Sequence, residues 1–280
     1  VDGAQMAAHL PIKMSGHTNP LRNIDALVFS GHKTYVPGSP GVVICRKDIL
    51  SSMEPEEVGG GMVDQVHVSR YTITDKFPDR EEAGTPNIPG AIGLAAAIDV
   101  LDKIGMEFIY EDENLLIADA LDQMKQVGNV IIYGETNCST CPRAASISFN
   151  IRGLDHGLVA AILNDYHNIA VRNECFCAHP YVKEMVIEEL MGSKVSDDFD
   201  FDAAFKVKAG MVRASFGIYS TKDDVTALVV ALKDIIAKRD EYSNLYALDG
   251  TGIYRHKTFK PNETDLFNVE LFIDEYLQKL

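Results

Sequence analysis

The chain has 280 residues, of which 46% are hydrophobic, and a formal charge of −15 at pH 7. Such a length can bury the core of one large domain or two ordinary ones, and the acidity argues against nucleic acid or an anionic membrane as a partner, because phosphates are gripped by clustered Lys and Arg. No apolar run reaches the length of a membrane span, and Val1-Asp2-Gly3 opens neither a charged nor an apolar leader region, so a soluble cytoplasmic enzyme is the expectation.

In chain order, Ala26–Ser30 and Gly41–Cys45 are near-continuous apolar runs on either side of a Pro- and Gly-bearing loop, and read as buried parallel strands. Gly59-Gly60-Gly61 and the polar stretch to Arg80 read as a flexible loop. Pro86-Asn87-Ile88-Pro89-Gly90 opens a helix to about Lys103, with proline at its start and Gly105 near its end. A second helix is expected from Met106 to Val127. Asn129–Tyr133 and Ala145–Asn150 then read as strands, Asp155–Tyr166 as an amphipathic helix and Ile169–Arg172 as a short strand. Glu184–Met191 looks helical, Met211–Ile218 extended, and Lys222–Lys238 a long helix with Thr221 as its N-cap.

The fold class expected is α/β, with one domain over 1–105 and a small α+β domain with a C-terminal extension over 106–280. Ser193–Phe205 interleaves Asp197, Asp198 and Asp200 with Phe199 and Phe201, but it lacks the spacing of a calcium loop and reads as a solvated insertion. The tail ends in an amphipathic helix, Asp265–Leu280, whose apolar face packs on the body or on a partner chain.

Five cysteines, an odd number without secretory context, are expected to be reduced. Cys138-x-x-Cys141 and Cys175-x-Cys177 hold four thiols, but the second pair lacks the two-residue gap usual for zinc or iron–sulfur ligation, and no metal site is assigned.

The chemistry centres on Ser30-Gly31-His32-Lys33, where an apolar run from Ile24 to Phe29 delivers a lysine into a polar, glycine-bearing turn. A lysine so placed is a candidate Schiff-base nucleophile. The commonest aldehyde cofactor, pyridoxal phosphate, also needs an acidic partner for its ring nitrogen and donors for its phosphate. Asp2, in Val1-Asp2-Gly3-Ala4-Gln5, offers the acid, and Ser30 and His32 offer donors. Two parallel strands would bring Asp2 and Lys33 to one carboxyl edge, where open α/β sheets bind ligands. A solvated loop lysine remains the competing reading from these residues alone.

The segments Asp2–Gln5, Ser30–Val42, Glu81–Leu101, Ala170–Val182 and Val212–Thr221 occur in this order. Together they resemble the class V, fold-type I pyridoxal-phosphate enzymes, and within them the cysteine desulfurase and selenocysteine lyase branch. The resemblance implies that residues 1–105 are the C-terminal part of a pyridoxal-phosphate transferase large domain built on a mainly parallel sheet. The family's N-terminal part, with the phosphate loop and the side chain that stacks on the cofactor ring, has no counterpart here.

It also implies roles. Lys33 carries the cofactor, Asp2 pairs with its ring nitrogen, Gln5 meets its ring hydroxyl, and Ser30 and His32 bind its phosphate. Thr85, in Ala83-Gly84-Thr85-Pro86-Asn87, reaches the phosphate held by the opposite subunit, which implies a homodimer. It is equally placed to cap the helix that follows. Arg213 clamps the α-carboxylate of an amino acid substrate, which two parallel guanidinium hydrogen bonds suit, or is a structural ion-pair partner. Cys177, five residues after Arg172, stands where the desulfurases carry the persulfide-forming cysteine, and its sulfur would pass to an acceptor protein; a small buried thiol is the alternative. Glu174 departs from the glycine usual at its position, and Cys175-Phe176 from two histidines. A class V aminotransferase or epimerase, needing Lys33, Asp2 and Arg213 but not Cys177, is the rival enzyme. A non-catalytic subunit that needs an N-terminal complement is the rival from another class.

Overall fold

A computed structural model describes residues 1–138, 140, 143–191, 200, 209–260, 273 and 277. Cys141, all of Ser193–Phe205 except Asp200, and all of Asp265–Leu280 except Ile273 and Leu277 lie outside the described residues, and with them the readings of an acidic insertion and a terminal amphipathic helix. The chain forms two compact units, neither of them one continuous segment. The first comprises 1–118, 137–146 and 216–220, and the second 119–136, 147–215 and 221–280. Among the described residues no helix is long and apolar enough to cross a membrane.

In the first unit, β1 (Ala26–Ser30) pairs with β2 (Gly41–Cys45) in antiparallel register, Val28 opposite Val43. The sequence reading expected buried parallel strands. The connection Gly31–Pro40 is shorter than the dozen or so residues of a parallel crossover, so the chain can only fold back, and β2 is largely exposed. A parallel contact does form on the other side of β1, where Asp2 bridges Val28 and the Gly3 N–H donates to the Val28 carbonyl at 2.7 Å. Leu27 and Phe29, alternate residues of β1, turn inward to pack with Leu94, flanked by Ile12, Met14, Ile24 and Val42.

Leu94 belongs to α2 (Ile88–Ile104), which starts where the Asn87 side chain accepts the Gly90 N–H at 3.1 Å and stops at Gly105, held at φ +95°. Both ends fall where the sequence places them. α3 (Met106–Lys125) follows directly. Its buried Glu113 receives His9 Nδ1 at 2.9 Å, fastening the turn after Asp2 to this helix. A short helix, α1 (Lys47–Ser51), and an antiparallel hairpin, β3 (Val63–Val66) with β4 (Tyr71–Ile73), fill the stretch between β2 and α2. The sequence reading expects a loop here, because strands of four and three residues, mostly exposed, are too short to show a period.

The second unit is built on a sheet of order β5-β6-β8-β7, from Val130–Ile132, Ser146–Ile151, Met211–Ser215 and Arg172–Glu174 respectively. Ile147, Phe149 and Ile151 alternate inward along β6. α4 (His156–His167) packs against β7, β8 and α6 (Lys222–Ala237). Asp155 caps α4 by accepting the Gly157 N–H at 2.7 Å, and Asn168, at φ +54°, ends it. At α6 the Asp224 carboxylate accepts the Thr221 N–H at 2.7 Å, which bears out the expected start. α5 runs from His179 to Met191, five residues earlier than its periodicity suggested, and Val182, Val186 and Ile187 pack with Tyr133, Cys175 and Met211.

Beyond α6, α7 (Arg239–Leu245) leads into a hairpin that the sequence did not reveal, β9 (Tyr246–Leu248) and β10 (Tyr254–His256). One carboxylate organises it: Asp249 accepts the N–H groups of Thr251 (2.8 Å) and Ile253 (3.0 Å) and the Thr251 hydroxyl (2.6 Å). Those bonds favour the ionised form and hold the Asp249 carboxyl well below the usual carboxylate range. Its folded pKa being depressed, its contribution is whole above the unfolded value of about 3.9 and fades as pH falls below it. Amide NMR shifts of Thr251 and Ile253 should therefore titrate below pH 3.9 in the native chain, and Asp249→Asn should remove that titration and loosen the hairpin.

Candidate active site

β1 ends at Ser30, and Gly31-His32-Lys33 form a turn of 3-10 helix. A glycine is required at its start. A Cβ on Gly31 would lie 2.4 Å from Ser39 Oγ, 2.5 Å from the Pro40 carbonyl and 3.0 Å from Leu94. The Gly31 N–H donates to that Pro40 carbonyl at 3.1 Å, and the Thr34 N–H donates back to the Gly31 carbonyl at 2.8 Å. Gly31 and Thr34 are thereby buried while His32 and Lys33 face outward, exposed.

Asp2 is exposed beside β1, level with Val28 and thus two residues short of Ser30, and one of its oxygens accepts the Ala4 N–H at 2.8 Å. Gln5 lies part-buried in the turn that follows. Thr85 is exposed two residues before Asn87, whose side chain donates to the Gly38 carbonyl at 2.6 Å, so its segment is tied to the loop after Lys33. Asn87, not Thr85, caps α2. Asp2, Gln5, Ser30, His32, Lys33 and Thr85 all belong to the first unit.

Cys177 and Arg213 belong to the second. On the antiparallel pair β7–β8, Arg172 stands opposite Arg213, and residues so paired share a face. Arg213 is part-buried and lies 4.9 Å from the centre of the Phe176 ring. Among the described residues its Nε is buried without a hydrogen-bond partner. Burial, and then the neighbouring Arg172, lower its pKa, while Cys177 works in the opposite sense. Two guanidinium groups on one sheet face, with one of the Arg213 donors unpaired among the described residues, leave that face positively charged.

Cys177 is exposed, and Cys175 is buried with its thiol 3.4 Å from the Ala209 carbonyl. Glu174, Phe176 and Cys177 all have positive φ, +77°, +51° and +66°, a concentration of strained backbone of the kind that gathers at functional sites. The departure at Glu174 thus has a local meaning: the position is one that glycine adopts freely.

Sequence reasoning passed over Arg172, Phe176 and Tyr35 as site residues. The first two are visible only once β7 and β8 are in register. Tyr35, in the turn behind Lys33, has φ +63°, and its aromatic position between Lys33 and Pro37 was the available signal.

The description aminotransferase class V fits residues 1–228. The chain belongs to the class-V aminotransferase family. Within it, the chain is 34% identical over 235 residues to a cysteine desulfurase of Yersinia pseudotuberculosis, covering 84% of this chain and 50% of that protein. It is 37% identical over 235 residues to a probable cysteine desulfurase of Staphylococcus aureus, covering 83% and 49%. The crystal structure of the cysteine desulfurase CsdA from Escherichia coli superposes with a TM-score of 0.68 at 29% identity, covering 84% of this chain and 51% of that one. The chain spans about half the length of the curated relatives it matches, and its fold is a corresponding part of theirs.

The contacts at Gly31 make its substitution costly. Gly31→Ala should lower stability by about 1–3 kcal/mol, the usual penalty for overpacking, as read from the urea midpoint.

Proposed function

We propose that this chain carries the lysine, the substrate clamp and the sulfur-accepting cysteine of a pyridoxal-phosphate-dependent cysteine desulfurase or selenocysteine lyase. The observation that carries the reading is the part-buried Arg213, whose Nε has no hydrogen-bond partner among the described residues and whose charge interacts with Cys177. A carboxylate receptor next to an exposed thiol suits an amino acid whose side-chain sulfur is to be removed. Identities of 34% and 37% to relatives named cysteine desulfurase and probable cysteine desulfurase support it.

The residues of the first unit fit the cofactor. Lys33 presents an exposed amine at the strand end, Ser30 and His32 flank it as phosphate donors, and Gly31 allows the backbone to turn where no side chain fits. Asp2, beside the same strand, would hold the ring nitrogen's proton, Gln5 would meet the ring hydroxyl, and Thr85 would serve the phosphate of a second subunit. When bound, pyridoxal phosphate withdraws electrons from the amino acid's Cα and so permits the C–S bond to break. Arg213 orients the substrate through its carboxylate, with Phe176 and burial limiting the water that competes for the guanidinium. Lys33 moves the Cα proton. The Cys177 thiolate takes the substrate's sulfur as a persulfide, alanine leaves, and an acceptor protein collects the sulfur.

A homodimer in the cytoplasm is part of this reading. Exposed apolar side chains along α2 and α3, including Ile92 (67%), Phe108 (63%) and Leu115 (68%), support association. A class V aminotransferase or epimerase would use the same lysine, acid and arginine, and Cys177 separates the two.

Two outcomes test the assignment in the assembled protein. Cys177→Ser should reduce sulfide release from L-cysteine by about a hundredfold or more, as loss of a covalent nucleophile does, with the cofactor absorbance intact; full activity, or transamination of keto acids by the unaltered protein, would sink the desulfurase reading. Borohydride should bleach the visible absorbance and fix the cofactor's mass on Lys33, and Lys33→Ala should show neither effect. Mass fixed on another peptide reassigns the cofactor lysine.

A further inference from the structure

The turn that presents Lys33 is completed by a residue with no role so far. Tyr35 sits two positions beyond the lysine at φ +63°, a left-handed conformation that a bulky side chain adopts only when its surroundings enforce it. Those surroundings are specific. The Tyr35 hydroxyl accepts the Ile218 N–H at 3.2 Å. A Cβ on Gly217 would come within 3.1 Å of the same oxygen, so glycine leaves the space that the hydroxyl needs. The Tyr219 ring meets the Tyr35 ring edge-on, with centres 6.1 Å apart.

The segment receiving Tyr35 is itself held. Phe216 N–H donates to the Ala145 carbonyl at 2.7 Å, Ser220 N–H to the Gly217 carbonyl at 2.8 Å, and Gly217 N–H to Ser220 Oγ at 3.1 Å. These groups all belong to the first unit. At the other end of the turn, Gly31 and Thr34 are locked by the bonds described above. His32 and Lys33, both exposed, therefore lie between a buried glycine anchor before them and a tyrosine anchor behind them.

We propose that Tyr35 is a positioning residue for Lys33, fixing the left-handed turn behind the lysine by docking its hydroxyl on the Ile218 N–H. Burial raises the Tyr35 pKa from its ordinary value, so the hydroxyl stays protonated and available as acceptor and donor throughout the neutral range. Tyr35→Phe keeps the ring but deletes the oxygen that accepts the Ile218 N–H, so that this bond no longer offsets the backbone strain. The inference rests on the reading of Lys33 as the cofactor lysine for its consequence, but not for its first test.

That test is hydrogen exchange followed by mass spectrometry on the full chain without cofactor. Tyr35→Phe should speed exchange in peptides covering 31–36 and 216–220 by about three- to tenfold, the range one lost hydrogen bond carries, and leave the β3–β4 hairpin unchanged. Gly217→Ala, whose Cβ would crowd the hydroxyl at 3.1 Å instead of deleting it, should act in the same direction. Exchange equal to the unaltered chain in both variants overturns the inference, and so does faster exchange throughout the molecule, which would mark Tyr35 as general packing. In the assembled protein the variant should bind pyridoxal phosphate about three- to tenfold more weakly by absorbance titration, with the position of the visible maximum changed as the lysine turn relaxes. Unchanged affinity and spectrum overturn the inference. An unaltered protein that takes up no pyridoxal phosphate overturns the reading of Lys33 instead, and the exchange result then decides the role of Tyr35.

Discussion

The contact on which the first unit depends is a close approach of backbone to backbone at Gly31. With no side chain there, the strand carrying Leu27 and Phe29 into the core can pass under the Pro40 carbonyl and Leu94 and immediately turn outward. The core and the exposed lysine are thus four positions apart, on a strand and the turn that follows it. Phe29 is buried and Lys33 exposed, and the change of direction between them is made by the single residue that has no Cβ to obstruct it. The loop Gly31–Pro40, which returns as β2, supplies both the acceptor for the Gly31 N–H and the carbonyl to which Asn87 fastens the start of α2. Strand, lysine turn and helix are positioned by these backbone contacts together with the packing of Leu27 and Phe29 on Leu94.

The second unit solves a different electrostatic problem. Two guanidinium groups share one face of β7–β8, an arrangement that costs energy unless an anion joins them. Natural surfaces disperse like charges or pair them. Here Arg213 also gives up part of its water to burial, with Phe176 against it, and its charged form is disfavoured by both burial and Arg172. The adjacent backbone is strained at Glu174, Phe176 and Cys177, and strain of this kind is kept when it aims a side chain that relaxed geometry would point elsewhere.

How much of this was legible in the sequence depended on whether the signal was local. The ends of α2 follow from Asn87, Pro89 and Gly105, and the start of α6 from Thr221 and Asp224, because caps are decided within a few residues. The Lys33 motif was legible for the same reason. The direction of β2 was misread although the ten-residue connection after Ser30 already forbade a crossover. The β3–β4 and β9–β10 hairpins escaped because strands of three or four residues are too short to show a hydrophobic period, and the Asp249 carboxylate that holds the second leaves none. Arg172 and Arg213 are forty-one positions apart in the chain, and only strand register makes them neighbours. Tyr35 left only its aromatic place between Lys33 and Pro37 as a signal, because its left-handed φ is set by its surroundings.

The discontinuity of the two units bears on how the protein is made. Synthesis runs from the N-terminal side of a chain to the C-terminal side, and domains commonly fold as soon as they have emerged. The first unit cannot do so. Its segments 137–146 and 216–220 are synthesised long after β1 and α2, and the partner of the Tyr35 hydroxyl, Ile218, is among the last to arrive. Until then the lysine turn has its glycine anchor without its tyrosine anchor. Completion of the first unit is therefore a late event in biosynthesis, coupled to the emergence of β8, whose final residue immediately precedes Phe216.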